Sequence, residues 1–311
     1  MRRRTLLGVR IEYACERIER RLRSDPRFAH TRGFLLTRDG DVVWEAALGD
    51  GKPADVFSVT KTVLALLVGA AIREGAMPAD LGAQLGSLLP ATRGTPAEHH
   101  TVRDLLTMRR GAETGGAWDI DAVMALPRGW VEQIARAPQL APPGTTFRYD
   151  NGAAHLLGAA LERAVGDVAA FARAALFAPL GVAQAHWQRD PDGVTMTFAH
   201  LALAPRDLER LGRLLLDDGD AYGHAMTTPW SAGGPPEELP YGFLTWLGDG
   251  YRMAGGWAGN HVLAVPRSRS VVVITGDPGF EPGPPPSDRL PPDWRPGLDL
   301  VREELLPLLL A

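Results

Sequence analysis

Apolar residues recur along this chain with two periods, and the changes from one period to the other sketch its elements. Ile11, Cys15, Ile18 and Leu22 fall at i, i+4, i+7 and i+11, which predicts an amphipathic helix near the start. Two runs follow at residues 33–37 and 41–45, joined by Arg38-Asp39-Gly40. An Asp-Gly turn between apolar, β-branched runs predicts a hairpin. From about Ser58 to Leu216 the period is mostly helical, with helices expected at residues 63–74, 102–108, 153–165, 168–177 and 206–217. Gly/Pro punctuation such as Ala141-Pro142-Pro143-Gly144 separates them. Strand patterns return at residues 241–247, 251–254, 261–265 and 271–275, and an apolar helix over 298–310 closes the chain. Between Asp277 and Gly297 the run Glu281-Pro282-Gly283-Pro284-Pro285-Pro286 reads as a stiff surface loop. Strands at both ends around a helical insert predict an α+β fold: an antiparallel sheet drawn from both chain ends and flanked by helices, plus a helical lobe. The expected division is 1–57 with 217–311 for the sheet lobe and 58–216 for the helical lobe, with the active site in the cleft between them.

Composition narrows the function. The 311 residues carry 33 basic and 37 acidic side chains, a net charge of -4. A nucleic-acid binder needs a basic stripe to neutralise phosphates, and none is present. One cysteine excludes a disulfide scaffold. The longest apolar run, residues 63–72, is too short for a bilayer, which takes about 20 residues. Arg2-Arg3-Arg4 before Thr5-Leu6-Leu7-Gly8 resembles the opening of an export signal. Arg10, Glu12, Glu16 and Arg17 interrupt the apolar core of about 7–15 residues that such a signal requires. A cytoplasmic protein with no membrane or nucleic-acid partner is therefore expected. Nothing in the sequence specifies an oligomeric state.

Only two of the basic residues are lysines, Lys52 and Lys61. Lys52 sits in a Gly/Pro loop and reads as a solvated side chain. Lys61 closes Ser58-Val59-Thr60-Lys61 at the head of the apolar run. Serine and lysine three apart share one helical face. A serine at a helix N-terminus presents its backbone N–H with the positive end of the dipole, which suits a developing oxyanion. A desolvated, neutral lysine can act as the general base that a serine nucleophile needs. The plainer reading is that Ser58 caps the helix. Downstream, Tyr149-Asp150-Asn151 precedes another helical pattern, where a phenol can relay a proton and Asn151 can hold the lysine or a carbonyl. The plainer reading here is a packed Tyr149 and Asn151 as N-cap.

Ser58-Val59-Thr60-Lys61, then Arg73-Glu74-Gly75 and Leu88-Leu89-Pro90, resemble the serine β-lactamase and penicillin-binding-protein superfamily of SxxK hydrolases. The likeness is strongest to the class C branch, with its esterases and 6-aminohexanoate-oligomer hydrolases. The block from Thr101 to Gly111 is similar to the helix and turn that follow there. Tyr149 and Asn151 match the family's YxN motif, and the block from Pro205 to Leu216 a later helix. The ordered match runs from about Phe34 to Thr275. The resemblance implies a β-lactamase-like fold and an acyl-enzyme at Ser58, with Lys61 and Tyr149 catalytic and Asn151 positioning.

The third motif departs. Penicillin-recognising members carry Lys-Thr-Gly or His-Thr-Gly on the strand edging the site, whereas this chain has Ala254-Gly255-Gly256-Trp257. The Trp257 N–H is expected to complete the oxyanion hole, with Gly255 and Gly256 permitting close backbone approach; a bulge or bend is the plainer reading. Neither GxSxG nor HExxH occurs, so metal and cofactor chemistry are not expected. His99 and His100 are expected to face solvent, and His155 to pack in a core. Trp118, Trp130, Trp187 and Trp257 are candidates for a substrate-lining or a core role. These features predict a serine hydrolase or acyltransferase acting on a small ester or amide. The alternatives are a β-lactamase or D-alanyl carboxypeptidase and, in another class, a non-catalytic binding protein on the same fold.

Overall fold

Val271, Val272, Val273 and Ile274 make a strand with no polar face, and such a strand needs cover on both sides. The computed structural model, which describes residues 6–280 and 293–311, shows what covers it. The Arg2–Arg4 segment and the loop from Glu281 to Pro286 lie outside the described residues. Contacts divide the chain into two compact units: Met1–Val59, Leu203–Asp217 and Asp249–Ala311, and Thr60–Ala202 with Asp218–Gly248.

In the first unit, α1 (Leu6–Ser24) precedes the hairpin of β1 (Thr31–Arg38) and β2 (Asp41–Ala47). Asp39 and Gly40 both take positive φ at its turn, as the Asp-Gly pair predicts. β1 pairs antiparallel with Ser270–Gly276, which pairs with Asn260–Val265, which pairs with Tyr251–Gly256. The N-terminal hairpin thus lies beside the C-terminal strands in one antiparallel sheet. Alternation along Ser270–Gly276 sends Val271 to one face and Ile274 to the other. On the first face the helix Pro205–Arg213 comes close enough that a Cβ on Gly212 would lie 2.6 Å from Val271 and 2.7 Å from Val262. On the second face Ile274 and Leu22 of α1 meet around Gly297, which leads into the C-terminal helical run. Ile11, Ala14, Cys15, Ile18 and Leu22 are the buried stripe of α1, as their spacing predicts. Burial pushes the Cys15 thiol up to about 12, so it serves as a packed, unreactive side chain.

The second unit is built around the helix Asn151–Val165, whose residues from Gly152 to Leu161 are all buried. Val102–Leu106 and Trp130–Ala135 pack against it. Its N-cap is Asp150, which accepts the Ala153 N–H at 3.0 Å, so the capping role falls one residue before Asn151. The single strand expected over 241–247 is instead two, Leu239–Tyr241 and Trp246–Gly248. Between them Leu244 takes φ 48° and the Gly242 N–H bonds the Thr245 carbonyl, closing a tight turn. Tertiary bonds offset the strain: the Leu244 N–H reaches the Leu106 carbonyl, and its own carbonyl accepts the Thr62 hydroxyl. His100 is buried, against expectation, because its Nε2 is bonded to Gln139 Oε1 at 2.8 Å; His99 is exposed. His155 is a core histidine, paired with Asp190 at 3.0 Å.

Candidate active site

Ser58 ends a tight loop. Asp55 accepts the Phe57 N–H at 2.7 Å, and the Val59 N–H reaches the Val56 carbonyl at 3.2 Å. Phe57 is forced to φ 48°, a conformation that costs a bulky residue on the order of 1–3 kcal/mol. The loop delivers Ser58, half-buried, immediately before α2 (Val59–Arg73). Chain continuity alone then sets Lys61 one helical turn after Ser58.

Within the first unit the strand Tyr251–Gly256 ends against that loop. A Cβ on Gly256 would lie 2.4 Å from the Val56 carbonyl oxygen and 3.3 Å from the Ser58 nitrogen. Both are backbone atoms with little freedom to move, so only glycine fits. This close approach brings Gly256 to Ser58, with Gly255 before it on the strand and Trp257 the next residue along. The chain turns at once through Trp257–Gly259, with Ala258 at φ 60°. Asn260, 2% exposed, fixes this turn: its Nδ2 donates to the Trp257 carbonyl at 2.9 Å and its Oδ1 accepts the Gly276 N–H at 3.3 Å. Gly276 is pressed onto the Ala258 carbonyl, where a Cβ would lie 1.6 Å away. Trp257, at the head of the turn, is 53% exposed.

Within the second unit Lys61 is 1% exposed, and its Nζ donates to the Phe198 carbonyl at 2.7 Å. The Nζ stands 5.0 Å from the centre of the Tyr149 ring. That ring is held in place, stacked on Trp246 at 5.6 Å and 16° and edge-on to Tyr241 at 6.3 Å. Burial pushes the Lys61 amine down from 10.5 to about 7, while the Asp150 carboxylate pulls it back up. Asp150 is itself held by Arg110, whose Nε donates to it in an almost fully buried ion pair. Asn151, half-buried, opens the helix that Asp150 caps.

The predicted residues therefore fall into two groups, Ser58 with Gly255, Gly256 and Trp257 in one unit and Lys61 with Tyr149 and Asn151 in the other. Lys52 stands apart, 79% exposed and paired with Asp50. Of the tryptophans, Trp130 and Trp187 are core, and Trp118 is partly exposed. Sequence reasoning missed Phe198, Arg110 and Asn260. Phe198 acts through its carbonyl, which leaves no side-chain signal. Arg110 meets a partner 40 residues away, and Asn260 ties the turn to Gly276, 16 residues further along the chain. Among the described residues no group of His, Cys, Asp and Glu is arranged to hold a metal ion.

No curated protein matches this chain. Solved structures of similar fold include a provisionally named 6-aminohexanoate-dimer hydrolase from Bacillus anthracis, 19% identical over 93% of this chain and 81% of that one, with a TM-score of 0.71. The hydrolase EstCE1, described as having promiscuous acyltransferase activity, is 17% identical over 88% and 95%, TM-score 0.67. A penicillin-binding protein from Bacillus halodurans is 18% identical over 85% and 94%, TM-score 0.67. At these identities the likeness is one of fold. The family is decided by the sequence itself: the profile of the Beta-lactamase family matches residues 29–283, most of the chain, and the protein belongs to that family.

Proposed function

We propose that the protein is an SxxK serine hydrolase or acyltransferase that forms an acyl-enzyme at Ser58 on a small ester or amide. The observation that carries this reading is the buried Lys61 amine, brought to about 7 one turn after the serine. At neutral pH an ordinary lysine is almost wholly charged and holds no lone pair for a proton; this one is neutral in a substantial fraction of molecules. Ser58 Oγ attacks the acyl carbonyl carbon as its proton passes to Lys61 Nζ. The negative charge that develops on the carbonyl oxygen is met by the Ser58 and Trp257 N–H groups, aided by the positive end of α2. The carbon–leaving-group bond then breaks, and the leaving atom takes a proton relayed through Tyr149. Water, or another nucleophile, attacks the acyl-enzyme by the same steps in reverse, giving hydrolysis or transfer. Asn151 positions the lysine or the substrate carbonyl.

The strand Tyr251–Gly256 offers no cation in the place where penicillin-recognising relatives grip a carboxylate, which favours esters and simple amides over β-lactams and D-alanyl peptides. Two of the similar structures carry the names of a 6-aminohexanoate-dimer hydrolase and of a hydrolase with promiscuous acyltransferase activity, which supports the same chemistry. We place this activity in the cytoplasm, a location that subcellular fractionation tests. Among the described residues no helix is long and apolar enough to cross a membrane.

A fluorophosphonate probe tests the chemistry. A mass adduct on Ser58, absent in Ser58→Ala, is the expected result. A folded wild-type protein that takes no adduct would overturn the enzyme reading in favour of a non-catalytic binder. Rates on p-nitrophenyl esters, short amides and nitrocefin then rank the substrates, with nitrocefin expected far behind the esters.

A further inference from the structure

We infer that the Trp257 ring is the platform for the acyl group, and that the enzyme selects uncharged acyl groups carrying an aromatic or bulky apolar substituent. The inference rests on the acyl-enzyme reading and extends it to substrate class. Gly256 faces the backbone at Val56 and Ser58, so closely that no side chain fits. Gly255 and Gly256 have no side chains, and Trp257, the next residue, opens the turn Trp257–Gly259 with its side chain exposed. A carbonyl oxygen held by the Ser58 and Trp257 N–H groups therefore has the Trp257 indole as the nearest side chain of that strand end.

The indole is both exposed and fixed. It is 53% exposed, yet its ring meets Phe280 edge-on at 5.7 Å and 78°, and Phe280 meets Trp294 edge-on at 4.9 Å and 74°. Below them His30 is 3% exposed, with rings at 5.4 Å from Phe280 and 5.0 Å from Trp294. Burial pushes its imidazole down to about 4, so the ring under the platform is uncharged at neutral pH. From below, the turn is locked by Asn260. A rigid aromatic surface of this kind binds flat apolar groups with little loss of side-chain freedom. Charge near it does not favour an acid: Ala254 and Gly255 carry none, Arg252 on the same strand donates to the Leu215 carbonyl at 2.7 Å, and Arg32, whose charge acts on His30, is paired with Asp277.

Covering roughly 60 Å² of indole corresponds to about a tenfold preference. The test compares the rate of Ser58 labelling by two fluorophosphonates that differ only in bearing an ethyl or a benzyl substituent. Labelling forms the Ser58 Oγ–phosphorus bond and expels fluoride, the serine proton going to Lys61, so no turnover is required. In the wild type the benzyl probe is expected to react about tenfold faster. Trp257→Ala should bring the ratio near one, and Trp257→Phe should retain most of it, with thermal unfolding confirming that each variant is folded. Equal rates for the two wild-type reactions, or an unchanged ratio in Trp257→Ala, would overturn the inference while leaving the acyl-enzyme intact. Absence of labelling by either probe would mean that the acyl-enzyme reading itself has failed.

Discussion

Replacing Lys61 by methionine should abolish acylation and stabilise the fold, by an amount that depends on pH in a predictable direction. The amine is 1% exposed, and burial brings it from 10.5 to about 7. At 1.36 kcal/mol per pH unit, that displacement amounts to about 5 kcal/mol of preference for the charged form that folding removes. In the unfolded chain the amine stays protonated up to about 10.5, whereas in the folded chain it is protonated only below about 7. Unfolding therefore takes up a proton between these values, and stability rises with pH across that window. Below pH 7 both states are charged and the full cost of the buried ammonium is present. Methionine fills a similar volume and does not titrate. The advantage of Lys61→Met should be largest at pH 6–7 and shrink by about 2–3 kcal/mol by pH 9. Urea unfolding of both proteins at pH 6, 7, 8 and 9 measures the gap directly. A gap that stays constant from pH 6 to 9 would show that the amine titrates near its ordinary value, and would remove the base from the mechanism. In the same pH range the wild-type rate of Ser58 labelling should climb through a midpoint near 7, since only the neutral amine accepts the serine proton.

Lys61→Arg should abolish Ser58 labelling with the protein folded, because guanidinium does not give up a proton; labelling at the wild-type rate would place the base elsewhere. Gly256→Ala forces a Cβ to within 2.4 Å of the Val56 carbonyl, so a loss of about 1–3 kcal/mol by urea unfolding and a labelling rate down about 100-fold are expected. Arg110→Met leaves the Asp150 carboxylate buried without its cation, at a cost of about 3–5 kcal/mol. It also leaves that carboxylate unopposed near Lys61, so the labelling midpoint should move above 7 in a pH profile. Asn260→Ala strips partners from the Trp257 carbonyl and the Gly276 N–H. A stability loss of about 1–3 kcal/mol and a fall in kcat at nearly constant KM are expected, measured on an ester identified by the substrate panel.

What the sequence made legible is what depends on local period and short spacing. The stripe of α1, the Asp-Gly hairpin and the all-apolar strand at residues 271–274 each follow from side chains within a few residues of one another. Ser58 and Lys61 could be paired because a single helical turn joins them. Features that depend on a distant partner were not legible. His100 looks solvated until Gln139 arrives from 39 residues away, and Leu244 reads as mid-strand until Leu106 and Thr62 hold its N–H and its carbonyl, respectively, in a turn. The Asp150 cap was displaced from Asn151 for a related reason. Both residues are good caps, and Asp150, which also pairs with the buried Arg110 40 residues away, is the one that accepts the Ala153 N–H. The neutral amine of Lys61 follows from its burial, but the atom it donates to there, the Phe198 carbonyl, is a backbone atom with no mark in the sequence.

The position of the motif in its helix explains how one short segment meets two opposed requirements. A nucleophile has to be reachable by substrate, and its base has to be out of water if it is to lose its proton near neutral pH. The helix α2 is apolar on every side along most of its course, with Val59, Val63, Leu64, Ala65, Leu67 and Val68 all buried, and such a helix belongs in the interior up to its exposed end at Arg73. Its N-terminus is therefore the place where the chain passes from accessible to buried within a few residues. Ser58 lies just outside that boundary and Lys61 one turn inside it. The strained φ of Phe57 and the backbone contact at Gly256 fix the outer end, while the Phe198 carbonyl and the Tyr149 ring surround the inner one. The same serine and lysine three apart in the middle of this helix would both be buried, and on a solvated helix both would be exposed with the lysine charged. It is the apolar run after the motif that gives the spacing its chemistry.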